Sequence, residues 1–403
     1  MLLENILCLS AFLLSVAFIV YIEKTLWQTY ITPVILSAVP MAVILTLSVI
    51  LSFYGILNEI YPSTILFLLW GVLLFEIPSL LCSGLYKVKR KYYAVKPIRS
   101  YRLLFWMTIV LILVYSLFIN KSISSISVNI GTDDFAEETA SGGLYAHLRN
   151  ILISFLVIWI CIYEKRNRLY STIFIAAIII FAFINQVKGW IVMPVLSGII
   201  LRVILNKTKL NLPLICLIII LGISIFYFSY YFALVIGNNN NMSDEINEFI
   251  LNHIIHYLTS GIMGLNHYLH SNISEPIEIK NLFAPFINLF QSLIGGQIYQ
   301  PKDLMSRNFI STGVGMSNIR TFYGTAYILI GPWLYPAYVM LVSFMMYILN
   351  IVTLKKSNLF ITAIYAWFCA IMFMSWFDSY FQLFTTFEIP CLLFMFYMID
   401  RIK

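Results

Sequence analysis

Charge is scarce in this sequence: of 403 residues only 11% are Asp, Glu, Lys or Arg, against 61% that are apolar, and the mean hydropathy is +0.89. So little polar surface cannot cover a soluble globule, and runs of about 20 apolar residues mark membrane spans. Cysteine excludes more by its placement than by its number. Cys8, Cys82, Cys161, Cys216, Cys369 and Cys391 all fall inside predicted spans without ligand spacing, which argues against a disulfide framework or a zinc site. The apolar first 21 residues lack a basic n-region and a small-x-small cleavage site, so they read as a retained first helix rather than a signal peptide. There is no P-loop, dinucleotide site or serine nucleophile elbow, and nothing calls for a nucleic acid.

What is there is a succession of apolar runs, which predicts an all-α, polytopic membrane protein. It reads as a single transmembrane bundle over residues 1–403, with about eleven helices at roughly 1–21, 33–56, 62–86, 103–119, 148–163, 169–186, 190–205, 212–236, 323–352, 358–376 and 381–400. Basic residues accumulate in cytoplasmic loops. The stretch YKVKRKYYAVKPIRSYR (86–102) carries seven of them. Of 25 lysines and arginines, an outward-facing N-terminus puts all but Lys121, Arg149, Lys188, Lys280, Lys302, Arg307 and Arg320 inside, and the inverse arrangement leaves only those seven there.

Two large segments then lie outside, 120–147 and 237–322. Loops of that length are functional or disordered, and the second is too apolar for disorder. Within it DEINEFILNHIIHYLT (244–259) has helical character, with Glu245, Glu248, Asn252, His256 and Thr259 on one stripe and Ile246, Phe249, Ile250 and Tyr257 on another. NLFAPFINLFQSLIGG (281–296) reads as a second amphipathic or re-entrant helix ended by Gly295 and Gly296. Together these helices are expected to roof a cavity between the spans.

The outer cations divide by setting. Lys121, Lys280 and Lys302 sit in polar surroundings and read as solvated loop charges. Lys188, in NQVKGW, has almost no polar cover, so it either snorkels to the interface or meets an anion. Arg149 opens a span as a headgroup anchor or a ligand contact. Arg320, in SNIRTFYGTAYILIGPW (317–333), stands at a loop–helix junction where a guanidinium is either an interfacial anchor or a bidentate phosphate clamp. Glu76 lies inside the third span, where a carboxylate is costly unless protonated, paired or in water.

The stretches VKGW, HYLTSGIMGLNHYL (256–269) and SNIRTFYGTAYILIGPW resemble signature segments of the oligosaccharide repeat-unit polymerases, the Wzy-type O-antigen and capsule polymerases. Some members are described by an arginine followed eleven residues later by glycine, matched here by Arg320 and Gly331, and a histidine followed eight later by glycine, matched by His253/Gly261 and His256/Gly264. No second Arg-to-Gly pair occurs, and the early outer site offers Lys188 instead, a point charge rather than a fork.

The resemblance implies transfer of a growing glycan from undecaprenyl pyrophosphate to a new carrier-linked repeat unit, on the periplasmic face of the bacterial inner membrane. No metal or nucleotide cofactor is implied. Besides the lipid-linked oligosaccharide and membrane lipids, it leaves a chain-length regulator and a flippase open as partners. Cations must stabilise the departing pyrophosphate and a base must take the acceptor proton. Arg320 and Lys188 suit the first need, with Arg149 and Arg307 as candidates to hold the pyrophosphate of the second carrier; His253, His256, Asp303 and Asp378 are candidates for the second need, with the catalytic set completed by Arg320. Trp190, Tyr299 and Tyr323 are candidates to stack on sugars, although interfacial aromatic belts explain such residues equally well. A lipid-linked-glycan ligase shares this layout. A flippase or other transporter is expected to show internal repeats and midplane ionisable groups instead.

Overall fold

The computed structural model describes residues 2–85, 98–125, 143–185, 189–231, 244–271, 277–299, 309–355 and 358–402. The described α-helices are α1 (Leu2–Trp27), α2 (Pro33–Phe53), α3 (Pro62–Leu85), α4 (Tyr101–Ser125), α5 (Leu144–Ile162), α6 (Arg168–Ile184), α7 (Gly189–Ile204), α8 (Leu212–Tyr231), α9 (Asp244–His270), α10 (Ile279–Leu282), α11 (Ala284–Ile294), α12 (Thr321–Lys355), α13 (Leu359–Phe373) and α14 (Phe384–Ile402). Two short strands, β1 (Ile310–Ser311) and β2 (Met316–Ser317), pair antiparallel with Ile310 opposite Ser317.

A spanning segment must satisfy its backbone internally, which lipid allows only to helices and closed barrels. Eight described helices, α1 to α6, α8 and α12, are long and apolar enough to cross a membrane. The chain is therefore an all-α, multi-pass membrane protein, but the expected eleven spans are not reached among the described residues. Helices do form at 190–205, 358–376 and 381–400. However, α7 has 16 residues and α13 has 15, too few at about 1.5 Å each for a core about 30 Å thick, while α14 carries Glu388, Asp400 and Arg401 among its 19 residues.

The chain divides into two compact units. The first comprises Met1–Lys91, Ile255–Lys355 and Ile371–Phe387. In it α3 packs against α1 and α12, with α2 alongside. The Thr32 side chain caps α2 by accepting from the Ile35 amide at 3.5 Å, and Pro33 takes the first helical position, where its missing N–H costs nothing.

The second unit comprises Tyr92–Ile254, Lys356–Ala370 and Glu388–Lys403. It is built around α5, which packs against α4, α6 and α7 over a core of Tyr115, Ile119, Leu152, Leu156 and Ile178. Two buried pairs tie its helices together: Trp159 Nε1 donates to Thr108 Oγ1 at 2.9 Å and Asn185 Nδ2 to the Tyr115 hydroxyl at 2.8 Å. Arg202 closes the end of α5, donating to the carbonyls of Ile160, Cys161 and Tyr163 at 3.1, 3.2 and 2.9 Å.

Both helices expected within 237–322 are present. α9 runs well past residue 259, and its stripe is half as expected: Glu245 and Glu248 are exposed, but Thr259 is buried, because the later half of α9 belongs to the first unit's interior. α11 ends at Gly295, whose φ of 70° is a left-handed cap. It buries only Ala284 and Pro285 and leaves Phe286, Leu289, Phe290, Leu293 and Ile294 exposed, a surface suited to lying in a membrane interface.

α12 is broken. At Gly331 the backbone takes φ 74° and ψ 169°, a region open in practice only to glycine, and Pro332 follows. The result is a half-helix of Thr321 to Ile330 joined to a longer second half. Gly331→Ala is expected to destabilise the protein by about 1–3 kcal/mol, read as a lower thermal midpoint of the detergent-purified variant; an unchanged midpoint would show that the backbone can relax there.

Candidate functional site

The site is assembled in the first unit by the later half of α9, which runs along the chain leading into α12. His256 Nδ1 lies 3.2 Å from Thr312 Oγ1, and Thr312 closes the β1–β2 turn onto the Gly315 carbonyl through its amide at 2.9 Å and its hydroxyl at 3.0 Å. One turn along α9, the Ser260 carbonyl accepts from Ser317 Oγ at 3.5 Å. One further turn on, Gly264 meets Ile319 so closely that a Cβ would overlap the Ile319 carbonyl oxygen and stand 3.2 Å from Arg320 Nη1. A Cβ at Gly261 would likewise overlap the carbonyls of Trp376 and Phe377.

Those two carbonyls belong to the turn after α13, and that turn is stitched to the start of α12. The Thr321 amide donates to Phe377 O at 3.0 Å and the Phe322 amide to Ser375 O at 2.7 Å, so two of the amides left over at the helix start find partners. Thr321 itself takes φ 61°, which costs a β-branched residue energy and is held by these bonds. Asp378 accepts from Thr325 Oγ1 and from the Ser379 amide. Desolvation, reinforced by the Asp378 carboxylate, pushes the Tyr380 phenol above its ordinary range.

Arg320 sits behind these contacts, only 2% exposed, with Nη1 3.4 Å from the Ile319 carbonyl. The segments that carry Arg320 and Asp378 therefore pack along the half of α9 that carries His256, a rim built from distant parts of the sequence in which Arg320 itself is buried. Tyr323, expected to stack on a sugar, is fully buried. Its hydroxyl is 2.9 Å from Ser37 Oγ and its ring faces Gly71, so it packs inside the bundle. Tyr299 is half-buried and donates to Asn281 Oδ1 at 2.7 Å.

His253 and Arg149 fall in the second unit. The His253 ring packs on Phe249 and Tyr230, with centroids 4.1 and 5.0 Å apart. Arg149 is buried in α5, next to Asn150, whose Nδ2 donates at 2.6 Å to Glu388, the partner of His147 at the same distance. Trp190 is the second residue of α7. Lys188, Asp303 and Arg307 lie outside the described residues. Among the described residues no three His, Cys, Asp or Glu side chains are grouped to hold a metal ion.

A second feature of this rim was not apparent from the sequence. Asn266 latches the segment between α2 and α3 onto α9: its Oδ1 accepts from the Tyr61 amide at 3.0 Å and Thr64 Oγ1 at 2.8 Å, and its Nδ2 donates to the Glu59 carbonyl at 2.8 Å. Beside it Tyr61 stacks on His270 with centroids 3.9 Å apart, and His270 Nε2 lies 2.8 Å from Ser63 Oγ. A pocket of about 220 Å³ is lined by Asn58, Glu59, Tyr61, Asn266, His267 and His270, among others. Amides, a carboxylate and an aromatic face are the groups that hold a sugar ring. The one sequence signal for the latch is an asparagine interrupting an apolar helical run in GLNHYL.

Residues 55–403 match a family described as "Family of unknown function (DUF6337)". The chain belongs to this family. The matched stretch takes in every segment of the site, from the pocket's Asn58 to Asp378, and leaves out α1 and α2. No curated protein and no solved structure matches the chain.

Two outcomes follow for the rim. Gly264→Ala forces backbone apart and is expected to cost about 1–3 kcal/mol; a thermal midpoint equal to wild type would mean that α9 and Ile319 separate freely. Partial burial lowers the His270 pKa below its ordinary 6.5, so the folded protein binds fewer protons there than the unfolded chain. Its contribution is complete above about pH 6.5 and is lost as pH falls through the folded value. The acid-side loss of stability should therefore be shallower in His270→Gln.

Proposed function

We propose that the chain is a membrane glycosyltransferase that polymerises lipid-linked oligosaccharide repeat units of an O-antigen or capsular polysaccharide. It acts at the periplasmic face of the bacterial inner membrane, the side on which the basic-residue count leaves Arg320. The observation that carries this reading is spatial. Two segments that resemble the repeat-unit polymerases, 256–269 and 317–333, are far apart in sequence yet pack directly on one another, Gly264 against Ile319. The Gly331 of the Arg-to-Gly spacing ends the half-helix that Arg320 precedes.

In this reading the bond between the anomeric carbon of the growing glycan and its carrier pyrophosphate breaks, and the pyrophosphate leaves with the electron pair. A hydroxyl of the incoming repeat unit bonds to that carbon and gives its proton to a base on the rim, Asp378 or His256. Arg320 acts from its buried place beside Gly264, where little water screens its charge. Arg307 is a candidate to hold the second carrier. The pocket of Tyr61, Asn266 and His270 lies beside the rim, available to a sugar of either substrate.

The test is deletion of the gene with complementation, read from the gel profile of surface polysaccharide. A single repeat unit on the lipid core in place of a ladder supports the polymerase, and Arg320→Ala should reproduce that profile while the protein still inserts. Complete loss of added repeats, with lipid-linked material accumulating, points instead to a ligase or flippase. A wild-type ladder from Arg320→Ala removes Arg320 from the proposed chemistry.

A further inference from the structure

The first unit holds a second polar cluster, remote from the rim and independent of the glycosyl-transfer reading. Glu23 of α1 is fully buried. Its carboxylate accepts from the Tyr347 hydroxyl of α12 at 2.7 Å and from Ser79 Oγ of α3, which itself accepts from Trp27 Nε1 at 2.8 Å. One turn before Ser79 on the same face of α3 stands Glu76. It is 5% exposed, and neither of its carboxylate oxygens has a hydrogen-bond partner.

A carboxylate so placed cannot remain an unmatched anion: burying it alone costs several kcal/mol, and a second carboxylate, Glu23 of α1, which meets Ser79 one turn along α3, opposes its charge. The surroundings supply oxygen rather than positive charge. Tyr347 faces the pair from α12, and Cys82 adjoins it on α3 against Trp27 and Tyr347. α2 has no titratable side chain. Lys24, next to Glu23 in sequence, is exposed with its ammonium over the Tyr30 ring, 4.8 Å from the centroid.

The helix is also loosened at this point. Pro78 brings no N–H, which leaves the Leu74 carbonyl without its usual helical donor, and Ser343 of α12 donates to the neighbouring Phe75 carbonyl. A second unmatched group lies on the facing stripe. Asn350, three residues beyond Tyr347 on α12, is 5% exposed with no partner for its Nδ2. Glu23 has its donors and Glu76 has none, so the deficit is one positive charge among hard oxygen ligands, the setting for a proton or an alkali ion.

We propose that Glu23 and Glu76, with the Ser79 and Tyr347 hydroxyls, form a buried binding site for one monovalent cation, a proton or a sodium ion, between α1, α3 and α12. Glu76 lies 14 residues into α3 from Pro62, about 21 Å along the helix from the end that carries the pocket. Occupancy matches the charge that otherwise opposes packing of the three helices.

The test uses the purified full-length protein in lipid nanodiscs. Thermal unfolding is followed from mildly acid to mildly alkaline pH in sodium or in potassium, and infrared absorption is followed for the carbonyl band of a protonated carboxylic acid. A bound proton predicts that band in the wild type at neutral pH, and a midpoint that falls on the order of 5 °C as the band is lost at higher pH, equally in both salts. A bound sodium ion predicts a midpoint higher in sodium than in potassium. In either case Glu76→Gln removes the dependence. A wild-type protein with no such band and no response to pH or sodium overturns the proposal without any variant, and so does a Glu76→Gln protein that keeps the full wild-type profile.

Discussion

The structure of the candidate site depends on how closely α9 approaches other backbone. Gly261 and Gly264 present no side chain, so the helix lies directly against the carbonyls of Trp376, Phe377 and Ile319. That approach leaves the turn after α13 within reach of the first amides of α12. It also holds the β1–β2 turn along α9 from His256 to Ser260. Small residues serve this purpose in membrane proteins generally, because lipid offers no hydrophobic drive between helices and association relies on close van der Waals packing. A Cβ at Gly264 would push α9 off the segment that carries Arg320, and one at Gly261 off the segment that carries Asp378.

This contact gives the His-to-Gly and Arg-to-Gly spacings a physical content. The glycines of the first spacing are points of contact, and their histidines are separated by function of place: His256 meets the β1–β2 turn while His253 packs among aromatic rings of the second unit. The glycine of the second spacing is the break in α12. Arg320 and Gly331 thus bracket one half-helix, whose first two amides are taken up by the carbonyls of Phe377 and Ser375.

Buried polar groups in this protein fall into two kinds. Asn266, Thr108 and Asn185 have partners in place, and each fixes one element against another. Such groups rigidify the packing that surrounds them. The Glu76 carboxylate and the Asn350 Nδ2 have none. A satisfied network accounts for itself, whereas an unmatched carboxylate between packed helices requires a positive charge.

The sequence by itself determined the class: low charge and long apolar runs leave helices as the structure the chain can form in a membrane, and a helix is found among the described residues of each of the eleven runs. It also located α9 and α11 within a segment that reads as a loop, since stripes at helical spacing and Gly295 are local signals. The number of spans was less legible, because apolar composition does not distinguish a helix of 15 or 16 residues from one that crosses. The site was legible only in part. Arg320, His256 and Asp378 stood out as polar residues among apolar ones, but Tyr323 did too, and its burial against Gly71 is set by residues far away in sequence. The Asn266 latch, the stack of Tyr61 on His270 and the pairing of Glu23 with Ser79 all join segments separated by many residues. Such contacts depend on which helix faces pack together, and only the tertiary structure decides that.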